Sequence, residues 1–338
     1  MIRALGSLLF IAFAVFLLSG CSEKNYFEPK RVDGTVEYDG ELPAAIAETG
    51  YRSATLENGA FITDDGLHEE RLPEGYRYIA GDGELIVAAA DCKPNIIYDT
   101  KSKKSRSIAL PRRVLAALFI PGSKKIAFLI EGNSYGIYDY EKDEIVVKYE
   151  SDNALTADIR IASPMMLENL ILVPTLDGKL VILDRKSGVR VREIIVGKGD
   201  DFNNVIFLDV VGDRLVAATP HRIISVSPKL MDALDMEISD ILFVKEGIYI
   251  LSKEGKVYRC DNELKILNSK KFPFAHFVGA VYGEYIYLIE REGFIIATDT
   301  ELANARIFKI PERIESWFFA AKDTLYYDRY YFKLHKER

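Results

Sequence analysis

The chain has 338 residues, 49% hydrophobic and 28% charged, which excludes a disordered chain and supplies apolar material for a sizeable core. A net charge of −7 is a poor match for a polyphosphate partner, so nucleic-acid binding is not expected. The 3 cysteines and 4 histidines are too few and too scattered for a disulfide framework or most transition-metal sites, whereas 19 Tyr and 18 Phe against a single Trp suit many half-buried strands.

Arg3 is followed by an almost wholly apolar run over residues 4–18 and then by Leu18-Ser19-Gly20-Cys21, so residues 1–20 read as a secretory signal. The small pair directly before Cys21 resembles the bacterial lipobox, in which the cysteine sulfur takes a diacylglycerol and the freed amine is then acylated. That resemblance implies lipid attachment at Cys21, with an uncleaved helix or an ordinary signal peptide as the alternative, and two or more acyl chains give stable anchoring where one does not. The same resemblance to bacterial lipoproteins implies, from Ser22 standing where an Asp would mark retention, sorting to the outer membrane, on its periplasmic face. Residues 21–33, polar and containing Pro29, read as a lipidated tether to a single domain over 34–338.

Beyond the tether the chain repeats. Apolar strands end at Asp64, Asp99, Asp139, Asp184, Asp261 and Asp299, and Ile223-Ile224-Ser225-Val226-Ser227 is a degenerate copy in the one gap. The spacings run from 34 to 45 residues, near the period of propeller blades. Each copy is preceded by a second apolar run, as in Lys125-Ile126-Ala127-Phe128-Leu129. The joining turns include Asp177-Gly178, Glu254-Gly255 and Glu292-Gly293, where glycine supplies the positive φ of tight hairpins. Helix signals are nearly absent; residues 228–236 alone are expected to form a turn or two.

Six spacings define seven units. The C-terminal runs Ser316-Trp317-Phe318-Phe319, Thr324-Leu325-Tyr326-Tyr327 and Tyr330-Tyr331-Phe332-Lys333-Leu334 form an eighth that lacks its outer strand. Gly34-Thr35-Val36-Glu37-Tyr38 alternates as a strand and is available to supply it. The expectation is therefore an all-β propeller of four-stranded antiparallel blades, eight in number with seven as the alternative, closed by the N- and C-terminal strands so that no open sheet edge remains in the ring.

No constellation carries recognisable catalysis. Gly132-Asn133-Ser134-Tyr135-Gly136 matches the G-x-S-x-G nucleophile pattern, but β-rich sequence follows it where a helix is required, so Ser134 is expected in a hairpin. His68, His221, His276 and His335 lie in separate segments without a second ligand nearby. Asp200, Asp201, Asn203 and Asn204 are oxygen-rich but lack the spacing of a calcium loop and read as a solvated connection. Cys92 and Cys260 fall at opposite ends of blades four repeats apart, beyond disulfide reach, and are expected as free thiols. Lys101, Lys103, Lys104, Arg106, Arg112 and Arg113 form a local run of charge, read as a solvated face. Tyr326, Tyr327, Tyr330, Tyr331 and Phe332 read as core and pairing residues of the closing blade. No catalytic, cofactor-binding or metal-ligating residue is assigned, and the protein is expected not to be an enzyme.

The stretch from Thr175-Leu176-Asp177-Gly178 through Leu180-Val181-Ile182-Leu183-Asp184 to Lys186-Ser187-Gly188 resembles the repeat of pyrroloquinoline-quinone-type propellers. Arg192 or Glu193 stands where that family commonly has Trp, and the other units keep the strand-Asp element without the Ser-Gly turn. Together with the lipobox, the whole chain resembles the non-catalytic propeller lipoproteins of the outer-membrane β-barrel assembly machinery. The resemblance implies a membrane-anchored scaffold holding partner proteins of an envelope complex. A quinoprotein and a propeller sensing a ligand in its central channel are the alternatives, although the sequence has no adjacent-cysteine pair or evident ligand set for a quinone.

Overall fold

The computed structural model describes residues 26–152, 154, 160–198 and 203–334. The signal segment, Cys21, Asp200, Asp201 and His335 lie outside the described residues. Eight antiparallel sheets follow one another around a ring, and the described residues contain no helix. Blade 1 spans residues 46–68, blade 2 77–107, blade 3 114–150, blade 4 165–195, blade 5 207–235, blade 6 238–271 and blade 7 277–309. Blade 8 joins Phe318–Ala321, Thr324–Tyr327 and Tyr330–Lys333 to Gly40–Glu41 from the other end of the chain.

The composition of each strand follows from its place in the blade. First strands face the channel, second and third strands are buried on both sides, and outer strands are wet. In blade 3 every residue of Ser134–Asp139 is buried, while Glu144–Glu150 alternates between exposed and half-buried. Eight apolar clusters form the core, one at each junction between neighbouring blades, and the last joins Phe319 and Tyr326 of blade 8 to Leu56 and Ile62 of blade 1. Burial at roughly 25 cal/mol per Å² across these junctions, rather than any one central core, holds the ring.

The repeated Asp is a turn residue. Asp99 accepts the N–H groups of Lys101 and Ser102 at 2.9 Å each, Asp139 those of Glu141 and Lys142, and Asp184 those of Lys186 and Ser187. Asp261 and Asp299 do the same for slightly longer turns. Ser227, in the degenerate copy, accepts from Lys229 and Leu230 through its hydroxyl, so the serine replaces the carboxylate in kind. Asp64 departs from the pattern, because its turn is only two residues long and Thr63 takes the Asp65 N–H instead.

Two expectations are corrected. Residues 228–236 form no helical turns: once Ser227 has closed the turn, Met231–Asp235 pairs with Arg222–Val226 as the outer strand of blade 5. The segment expected to complete the last blade is displaced. Gly34–Thr35 lies parallel against the outer strand Ala305–Lys309 of blade 7 as a fifth strand, and it is Gly40–Glu41 that closes blade 8. Val36 and Tyr38 between them pack into the junction of blades 7 and 8, with Tyr38 stacked on Tyr330 at 4.3 Å. The clasp therefore spans two blades because burying that aromatic fixes the chain where it crosses. The described part of the tether is mostly exposed but is pinned at one residue: Phe27 is buried among blades 6 and 7, edge-on to Phe294 at 5.4 Å.

Candidate functional site

The channel is crossed by the protein's own side chains. Gly50, Tyr51 and Arg52 form the first turn of blade 1. From it the Tyr51 hydroxyl reaches Leu208 on blade 5, on the opposite side of the ring, where it accepts the Leu208 N–H and donates to the Leu208 carbonyl, both at 2.8 Å. Those backbone groups belong to an innermost strand and have no neighbouring strand on the channel side. The phenol satisfies both, and burial raises its pKa far above the ordinary tyrosine value, so it remains a donor. Arg52 follows to Asp209 at 3.4 Å, and Arg160 donates to the carbonyl of Ser239 on blade 6. Asp240 accepts the Ala280 N–H at 2.9 Å, linking blades 6 and 7 at the axis.

To one side of this crossing lies a cavity of about 570 Å³, lined by Glu48, Tyr51, Arg77, Arg113, Glu131 and Trp317 among others. Arg77 and Arg113 come from adjacent blades, and each is paired with a carboxylate of the wall, Arg77 with Glu48 and Arg113 with Glu131 at 2.8 Å. Both also reach Asp91, on the turn between the second and third strands of blade 2. A second cavity of about 450 Å³ opens beside Arg52, Asp64, His68 and Tyr78. Burial, then nearby Asp64, raises the Tyr78 pKa to about 12, and burial also raises that of Asp64.

None of this assembles a nucleophile with a base. Ser134 opens a strand directly after a tight turn, and the working residue of its motif is Asn133, fully buried at φ 61. The Asn133 side chain donates to the Asp152 carbonyl and to Asp177, and accepts the Leu176 N–H, clipping blade 3 to blade 4. His68 bonds Thr63 and stacks on Phe61, and His221 pairs with Glu237. Among the described residues no three His, Cys, Asp or Glu side chains converge to hold a metal. Asn203 and Asn204 correct the expectation of a solvated connection: both are buried, and Asn204 donates to the Arg160 carbonyl at 2.6 Å. Cys92 is exposed and Cys260 buried, both as free thiols.

The run of basic residues does not form one patch. Lys101, Lys103, Lys104 and Arg106 follow the outer turn and outer strand of blade 2, with Lys101 paired to Glu84 and Arg106 over the Tyr140 ring. Arg112 and Arg113 lie past that strand, beside the channel. Tyr326, Tyr327 and Phe332 are core residues of the closing blade, as expected.

One buried acid was not singled out from sequence. Glu290, fully buried at the end of the second strand of blade 7, accepts the N–H groups of His276 and Glu292. Burial nevertheless raises its pKa to about 7, with Glu292 adding to the rise and Lys309 opposing it.

No family model matches the sequence. The plasminogen-binding protein PgbB of Helicobacter pylori strain J99 is 26% identical, covering 96% of this chain and 70% of its own length, and its counterpart in strain 26695 is 25% identical with the same coverage. Among solved structures, BamB from Moraxella catarrhalis superposes with a TM-score of 0.63 at 16% identity, covering 86% of this chain and 95% of that one. Sqt1 from Saccharomyces cerevisiae gives 0.60 at 9% identity over 90% of this chain. At these identities the solved structures establish the propeller and nothing finer.

Proposed function

We propose that the chain is a non-enzymatic propeller scaffold, anchored by a lipid at Cys21 on the periplasmic face of the outer membrane, that binds proteins of the bacterial envelope. The observation carrying this reading is the Tyr51–Leu208 tie across the ring, with the wall arginines engaged by wall carboxylates. A channel crossed in this way leaves its mouths, the loop faces and the blade edges as the surfaces for recognition. The name of the Helicobacter pylori relative, a plasminogen-binding protein, supports protein binding as the class of activity. The likeness to BamB, taken with the lipobox, favours a role in outer-membrane β-barrel assembly as the finer assignment.

In-cell crosslinking of the lipidated protein in outer-membrane fractions, followed by mass spectrometry, tests it. Recovery of the barrel-assembly pore protein supports the finer assignment, and recovery of another envelope complex keeps the scaffold while discarding that assignment. Absence of any crosslinked envelope protein, or a calorimetric response to pyrroloquinoline quinone with calcium, overturns the reading. For the anchor, Cys21→Ala should move the protein from the detergent phase to the aqueous phase in a phase-partition assay; retention in detergent would remove the lipid.

A further inference from the structure

The ion pairs at the channel mouth are not equivalent. Arg77 and Arg113 are largely covered, with side chains 22% and 28% exposed, and each has its own wall carboxylate in Glu48 or Glu131. The third carboxylate, Asp91, is 77% exposed and bridges both guanidinium groups from a turn in which the next residue, Cys92, is held at φ 57. An exposed ion pair contributes little to stability, because water and salt screen it and both side chains must be ordered to make it. A guanidinium fork in a partly covered position is nonetheless well shaped for a carboxylate. Two such forks from adjacent blades meet on one carboxylate, which is itself held only by a surface turn. Against them lies the 570 Å³ cavity, with Trp317 and Tyr51 in its wall, which gives room for the residues flanking an inserted acid.

We propose that this mouth, between blades 2 and 3, is the docking site for an acidic segment of a partner protein, and that Asp91 occupies in the free protein the position taken by the partner's carboxylate. The site rests on the scaffold reading and names the chemistry of its partner. The segment presents an Asp or Glu to Arg77 and Arg113, displaces Asp91 into solvent and leaves Glu48 and Glu131 in place. Asp91 is thereby an internal competitor, so its removal strengthens binding.

The test is fluorescence anisotropy of a fluorescein-labelled tetra-aspartate peptide on the full-length lipidated protein in detergent, with tetra-asparagine and tetra-lysine peptides as controls. Asp91→Ala is expected to bind tetra-aspartate about tenfold tighter than wild type, an effect that weakens with added salt. Arg113→Gln in that background is expected to abolish the gain, and Arg113→Lys, which keeps the charge and loses the fork, to retain part of it in a protein with an unchanged unfolding midpoint. Equal affinity of wild type and Asp91→Ala, or binding of tetra-lysine in place of tetra-aspartate, overturns the proposal. Crosslinking in cells separates it from the scaffold itself: envelope partners recovered equally with wild type and Arg113→Lys, while the peptide shows no Asp91 effect, leave the scaffold standing and remove this site.

Discussion

Blade 3 and blade 8 show two ways of making the same sheet. Blade 3 is drawn from one continuous stretch, with strands of 6, 6, 6 and 7 residues, and its two middle strands are almost wholly buried. Blade 8 has three strands of 4 residues and borrows a fourth of only 2 from the far end of the chain. The first can form as soon as its hairpins pair, whereas the second must wait until the ends meet and bears the entropy of closing the longest loop in the molecule. Stability should thus be local in blade 3 and conditional in blade 8. Native-state hydrogen exchange checks this directly, with the Leu325 and Tyr331 amides expected to open at lower free energy than those of Phe128 and Ile137. Equal protection of the two blades would break the contrast.

The largest mutational effect is expected in the local blade. Phe128 is fully buried at the junction of blades 2 and 3, and Phe128→Ala should destabilise by ~3–5 kcal/mol in urea unfolding through lost transfer energy and the cavity left behind. Tyr51→Phe probes the opposite kind of contact. It removes a hydroxyl that satisfies two backbone groups on the far side of the ring, at a cost of ~2 kcal/mol, and should accelerate exchange of the Leu208 amide without altering that of Phe128.

Glu290 sharpens the comparison near the clasp, since blade 7 carries the extra strand. Its folded pKa, about 7, lies above the ordinary Glu value, so its contribution is complete below that ordinary value and is lost as pH rises through 7. Glu290→Gln should therefore be more stable than wild type at pH 8 and closely matched to it at pH 4, which paired thermal melts would show. The turn carboxylates act in the other direction. Backbone N–H donors hold Asp99, Asp139 and Asp184 below the ordinary Asp range, so what they contribute persists at neutral pH and is lost only as pH falls through their lowered values. The smallest effect is expected at these exposed turns. Asp184→Ala should lower the unfolding midpoint less than Tyr51→Phe, and Asp184→Ser should restore it, because Ser227 already performs that role in blade 5.

Periodicity was enough to read the ring. Burial forces apolar residues onto second and third strands and a carboxylate or hydroxyl onto each outer turn, so the repeat of strand and Asp was visible from Asp64 to Asp299, including the degenerate copy at Ser227. It also showed that Ser134 belongs to a hairpin, because the residues after it keep a strand period. What local pattern could not carry was the clasp. The alternation over residues 34–38 marks a strand but not the blade it joins, Gly40–Glu41 is too short to show a period, and the stacking of Tyr38 on Tyr330 chooses which pairs with which blade.

The candidate site was illegible for the same reason on a larger scale. Nothing marks Tyr51 as the partner of Leu208, or Asp91 as the shared acid of Arg77 and Arg113. The order of strands within a blade and the turns that join them were determined by the sequence alone, since each depends on neighbours within one repeat, whereas eight blades rather than seven followed only from the closure of the ring by Gly40–Glu41. The contents of the channel were decided only by the tertiary structure. Channel residues come one or two from each blade, and they meet only because eight twisted sheets close into a ring and bring opposite blades to a common axis.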